Sequence, residues 1–152
     1  MVNTNPRRTW ELSPFERVGE LQFGMTREQV IEVLGEPDAV LYEQAVRVEG
    51  HEDLRVQPCY DPDGRLIAVQ LLERTPFSVR GLRPAGRELD EVQRELVCQG
   101  VRCQLDRDGM TLPDLGLQLY APQYSFPEPR PIEGVLAMSR DYETILAEND
   151  QI

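Results

Sequence analysis

The residues best suited to chemistry are the single histidine and the three cysteines: His51, Cys59, Cys98 and Cys103. Together they are ligand types that zinc prefers. Their spacing argues against a site. Four residues separate Cys98 from Cys103, which is not a usual zinc interval, and His51 and Cys59 lie in the other half of the chain. The thiols read instead as small hydrophobes, with His51 in an exposed Glu-Gly-His-Glu-Asp loop. No metal or other cofactor is expected. A Cys–His nucleophile would need this same histidine. Glu49, Glu52 and Asp53 around it favour the imidazolium and should raise its pKa. Nothing in the sequence places a thiol beside it, and neither a Gly-x-Ser-x-Gly elbow nor a Gly-rich phosphate loop is present. All sixteen basic residues are arginine, so lysine chemistry is absent too. The expectation is that the chain is not an enzyme.

Two Asp-x-Asp-Gly runs, Asp61–Gly64 and Asp106–Gly109, contain oxygen ligands that calcium could use. Neither has the third acidic ligand or closing Glu at the right distance. Both lie between strand-like segments, where Asp-Gly is needed to turn, and the turn accounts for every residue. That leaves surface recognition. The stretch Leu119 to Glu133 sets Tyr120, Tyr124 and Phe126 among four prolines. Such a loop costs less entropy to order on binding, and aromatic side chains are favoured anchors. These three residues, with the acidic Glu52, Asp53 and Glu128, are the expected contacts to a partner. The net charge is −11 and the pI about 4.5. A surface of that sign repels nucleic acid and anionic lipid and favours a basic protein.

Around these residues the chain alternates helix and strand signals. In Phe-Gly-Met-Thr-Arg-Glu-Gln-Val-Ile-Glu-Val-Leu-Gly-Glu-Pro (Phe23 to Pro37), Thr26 is an N-cap with Gln29 three residues on, a capping box. Val30, Ile31, Val33 and Leu34 form an apolar stripe, and Gly35 and Pro37 end the helix. Ala39–Gly50 reads as a strand. Leu54–Glu73 reads as a hairpin turning at Asp61–Gly64, with a second arm apolar on both faces, as a central strand would be. Arg87–Gly100 is a second helix, with Leu89, Val92 and Leu96 inward and Val97 helping. Further strands follow, with Leu115, Leu117 and Leu119 facing one way and Gln118 and Tyr120 the other. The first dozen residues read as loosely held, though Trp10 and Phe15 can pack. The opening stretch has paired arginines but no apolar run, so it does not read as a secretory signal. No segment has the length of a membrane span. An odd cysteine count then reads as reduced thiols in a bacterial cytoplasm.

Gly24, Met25, Thr26, Val30, Leu34, Gly35 and Pro37 resemble the Gly-Met-(Thr/Ser)…Val…Leu-Gly-x-Pro signature of the SmpA/OmlA (BamE) lipoprotein group. The matching stretch is about a tenth of the chain. The repeated order of helix then strands is similar to the beta-lactamase inhibitory protein architecture. The first resemblance implies a helix-plus-sheet fold, and the second a concave sheet that grips another protein. The lipoproteins need a signal and a lipidated cysteine, so an outer-membrane assembly role is not expected. The secreted inhibitors carry disulfides within repeats; Cys98 and Cys103 are close in sequence, but one ends a helix and the other sits in the next strand, so no bond is assumed.

The expected fold is therefore α+β, with two tandem helix-plus-antiparallel-sheet repeats packed together. Residues 1–19 are an N-terminal extension, 20–79 the first repeat, and 80–152 the second, with a Pro-rich insertion. The expected function is a non-catalytic protein-binding module, an inhibitor or immunity protein that neutralises a basic partner such as a toxin. A small-ligand-binding or regulatory domain is the alternative.

Overall fold

The structure is a computed structural model that describes residues 9–43, 46–72, 75–123, 129–142 and 144–145. In chain order its elements are β1 (Trp10–Ser13), β2 (Arg17–Val18), β3 (Leu21–Gln22), α1 (Arg27–Leu34), β4 (Ala39–Glu43), β5 (Val46–Gly50), β6 (Val56–Tyr60), β7 (Leu66–Leu72), β8 (Phe77–Ser78), α2 (Leu89–Cys98), β9 (Gln104–Leu105), β10 (Gly109–Leu112), β11 (Leu117–Tyr120) and β12 (Gly134–Met138).

Both helices form where their signals lie. The Thr26 hydroxyl accepts the Gln29 N–H at 3.2 Å, and the Gln29 side chain accepts the Thr26 N–H at 2.9 Å. Two orphan donors of α1 are thus satisfied reciprocally. Helix α1 buries Val30 and Leu34. Helix α2 buries Leu89, Val92 and Leu96, whereas Val97 is 55% exposed and adds nothing to the stripe. The α2 cap residue Glu88 makes no cap bond to its own helix. Its carboxylate accepts the Arg130 N–H, and the Leu89 N–H donates to the Arg130 carbonyl. The start of α2 is thereby tied to the far end of the Pro-rich stretch.

The expected pair of packed α+β repeats is not what forms. Strand makes up 43% of the structure and helix 17%, and the strands form two sheets. One has four strands in the order β3-β2-β1-β8, with β1 and β8 parallel. The other has eight antiparallel strands in the order β4-β5-β6-β7-β12-β11-β10-β9. The physical reason lies at its centre. β7 and β12 pair from Leu72↔Gly134 to Ala68↔Met138, so no boundary divides one half's sheet from the other's. Both strands are apolar on two faces because they occupy the middle of one large sheet. Three local features lie beyond what the sequence signals show. Ala39–Gly50 is a hairpin of two strands, β4 and β5. The stretch read as an N-terminal extension supplies β1, whose Trp10 is buried. Phe77–Ser78, too short to show a period, completes the small sheet.

The main core lies between the helices, the small sheet and one face of the large sheet. The other face carries a smaller cluster, Val46, Val48, Cys59, Ile67, Ala68 and Met138, against which Leu136, Tyr142 and Ile145 pack. Among the described residues no helix is long and apolar enough to cross a membrane.

Candidate functional site

The open face of the large sheet is the best-built surface. Cross-strand register places Gln57, Gln70, Leu136, Gln118, Thr111 and Gln104 in one row over β6, β7, β12, β11, β10 and β9. Side chains alternate along each strand, so the neighbours Val69, Leu71, Met110, Leu117, Leu119 and Val135 point into the main core. The row's amides and hydroxyl point the other way. Beside it Tyr120, 48% exposed, stands between Gly109 and Gly134 on the flanking strands. Neither glycine has a side chain to cover the ring.

A groove of about 270 Å³ runs across this face. Gln70, Gln118, Thr111, Leu136 and the Tyr120 and Tyr142 rings line it, with Glu43 from β4 and Asp106 and Asp108 from the turn before β10. Among the described residues its lining holds three carboxylates and no arginine. The aspartates are held by the turn itself. The Asp106 carboxylate accepts the Asp108 N–H at 2.8 Å and the Gly109 N–H at 2.9 Å. Asp61 holds the other Asp-x-Asp-Gly turn in the same way, accepting from Asp63 and Arg65 at 2.9 Å. These oxygens serve turns, as the sequence implies. Arg130 braces the groove's end: its Nε donates to the Ala121 carbonyl at 3.1 Å and its Nη2 to the Asp106 carbonyl at 2.7 Å.

The expected contact residues do not all meet here. Tyr120 lines the groove. Glu52 and Asp53 are exposed in the turn after β5, and Glu52 lines a separate groove of about 410 Å³ with Asp38, His51 and Arg55. Tyr124, Phe126 and Glu128 lie outside the described residues. Gln70, Thr111, Glu43 and Arg130 have no signal in the sequence, and Asp106 and Asp108 stand out there only as residues of an Asp-x-Asp-Gly turn. Alternation in Leu-Gln-Leu-Tyr does put Gln118 beside Tyr120. Only the strand order joins them to Gln70.

The thiols and the histidine stay apart. Cys59 packs in the smaller cluster, Cys103 against the main core, and Cys98 is exposed on α2. No group of three such side chains that could hold a metal occurs among the described residues. Burial pushes the Cys59 thiol up to about 12, with Glu43 adding to it, so it stays protonated at neutral pH.

His51 departs from its reading as an exposed, charge-favouring loop residue. It is 4% exposed, and its N–H and carbonyl pair with Val56. Burial lowers its pKa, outweighing the opposing pull of Glu49, Asp38 and Glu36. The unfolded chain takes up a proton near 6.5, and the folded imidazole only at lower pH. Stability from the neutral ring is thus complete above 6.5 and falls as pH drops through the interval below it. The wild type should lose more melting temperature between about pH 7 and pH 5.5 than His51→Gln does. Equal losses in a thermal scan would remove the assignment.

On the helix side, Glu49 is fully buried and accepts from the Nε of both Arg27 and Arg47. Its other oxygen, the Tyr60 hydroxyl and His51 Nε2 have no hydrogen-bond partner among the described residues. Glu49 and Tyr60 are both 0% exposed, while His51 lies at the edge of the 410 Å³ groove. Compared with known proteins, the chain matches no family model, no curated protein and no solved structure.

Proposed function

We propose that the chain is a non-catalytic protein-binding module whose open sheet face takes a basic partner, in the manner of an inhibitor or immunity protein that neutralises a toxin. One observation carries this reading: among the described residues the groove combines a half-exposed tyrosine and a row of amides with three carboxylates and no arginine. Neutral amides and an aromatic ring supply contact area and hydrogen bonds. The carboxylates, within a net charge of −11, speed the approach of a cation-rich surface. Such a partner would cover the face without needing a reactive group on this chain.

The test is capture from the native host's lysate at low salt, with wild type and a Tyr120→Ala, Gln118→Ala pair compared. The expected result is one basic protein. Its affinity should fall about tenfold or more in the variant, as loss of a hot-spot aromatic does. It should also weaken as salt rises. A complex indifferent to both changes would overturn this reading. The second groove favours a different one, a small-ligand domain, because apolar Ala39, Val56 and Leu72 line it together with His51 and Arg55. That reading expects a ligand to raise the melting temperature with no protein partner present.

A further inference from the structure

The large sheet ends at β4, and that edge is unlike any other among the described residues. All five residues of β4 are exposed. Val40 is 41%, Leu41 58% and Tyr42 65% exposed, half of the exposed large hydrophobic side chains among the described residues. β5 pairs with one side of β4, and among the described residues nothing pairs with the other. Alternate N–H and carbonyl groups therefore face outward. Edge strands are normally blunted by Pro, Lys, a bulge or extreme shortness. β4 has none of these, whereas the opposite edge, β9, is two residues long.

We propose that β4 is a docking edge to which an extended segment of another protein adds as a ninth strand, its apolar residues flanked by Arg or Lys. The chemistry of the strand names this occupant. Glu36 and Asp38 precede it and Glu43 ends it, and none of the three is in an ion pair among the described residues. The neighbouring cation, Arg47, is already committed to Glu49 and to the Tyr42 hydroxyl. Side chains on an added strand would meet Ala39, Leu41 and Glu43 on one face and Val40 and Tyr42 on the other. An apolar centre with cationic ends matches that order. A second copy fits poorly. It would bring another −11 of charge to the same edge. Nor can a five-residue edge supply the roughly 1,200 Å² that stable interfaces bury. An added peptide draws its affinity from main-chain hydrogen bonds and needs no such area. The inference concerns the strand's edge rather than the sheet-face groove, with which it shares only Glu43, and stands if that groove binds nothing.

The probe is the acetylated, amidated peptide Arg-Val-Thr-Val-Thr-Val-Arg, read by amide hydrogen exchange and NMR shifts across the whole chain. The expected result is at least tenfold slower exchange confined to β4. The same peptide N-methylated at alternate amides should give none, because it keeps the side chains and loses the ladder. Leu41→Arg, which leaves the backbone intact, should weaken binding at least tenfold. No protection, equal binding of the methylated peptide, or binding indifferent to Leu41→Arg would overturn the proposal. Protection of β4 that grows with protein concentration alone would overturn it in favour of a second copy.

Discussion

Gly109→Ala is expected to destabilise the fold by about 3 kcal/mol or more, the sum of backbone strain and overpacking. Gly109 has φ +149°, a conformation that L side chains rarely adopt. A Cβ there would collide with the Leu119 carbonyl oxygen and stand 2.9 Å from the Ala121 nitrogen. Those atoms are backbone and belong to β11 and its exit, so no side-chain rotation relieves the contact. The strands must separate instead, at the pair Gly109↔Tyr120. Loss of stability should therefore come with loss of the proposed partner binding, since Tyr120 moves with β11. Gly64→Ala is the control. Gly64 also has positive φ, +81°, but nothing lies within 4 Å of its Cβ position. It should cost only about 1 kcal/mol, the penalty of a left-handed residue with a side chain. Urea midpoints of the two variants decide the matter. Equal midpoints would mean that the β10–β11 contact yields more easily than the geometry shows.

The same region shows how far the sequence could be read. The Asp-Gly turn was legible, because Asp106 and Gly109 each have a local reason to be there. The capping box of α1 was legible too, since Thr26 and Gln29 bond only to one another's neighbourhood. What could not be read was which strands become neighbours. The apolar faces of Leu66–Leu72 and Gly134–Met138 announce that both strands are buried, and are silent on their pairing with each other. That pairing joins residues far apart in the chain and turns two expected sheets into one. The groove suffers from the same gap. Gln70, Gln118 and Thr111 are ordinary strand amides and hydroxyls until the register sets them in a row. His51 misled for a related reason. Three nearby carboxylates in sequence suggested a charged, exposed ring, yet the β5–β6 connection buries it, and desolvation outweighs the carboxylates. The five exposed residues of β4 read as an ordinary strand because the sequence does not say that it lies at an edge.

Glu49→Ala and Tyr60→Phe should move stability in opposite directions, although the two side chains face the same buried space. Arg47 is registered opposite Tyr60, and Glu49 lies two residues along β5. Burial and the Glu49 charge push the Tyr60 phenol above its ordinary range, while Arg27 and Arg47 pull the other way. The phenol therefore stays protonated, and its hydroxyl must find an acceptor or remain unsatisfied. Among the described residues it has no hydrogen-bond partner. Removing it in Tyr60→Phe should be neutral or stabilise by about 1 kcal/mol, because an unsatisfied buried group carries its full desolvation penalty. Glu49→Ala does the reverse. It deletes the carboxylate that anchors Arg27 of α1 to Arg47 of β5, and opens a cavity where the helix meets the sheet. A loss of about 3 kcal/mol is expected, at the lower end for a broken buried pair. The low end applies because both guanidiniums are about one-third exposed and can regain water. Urea denaturation of the two single variants and the double variant checks both. Additive effects fit a hydroxyl without a partner. A Tyr60→Phe loss above about 1 kcal/mol that vanishes in the Glu49→Ala background would mean that the phenol is bonded to the free carboxylate oxygen, directly or through water.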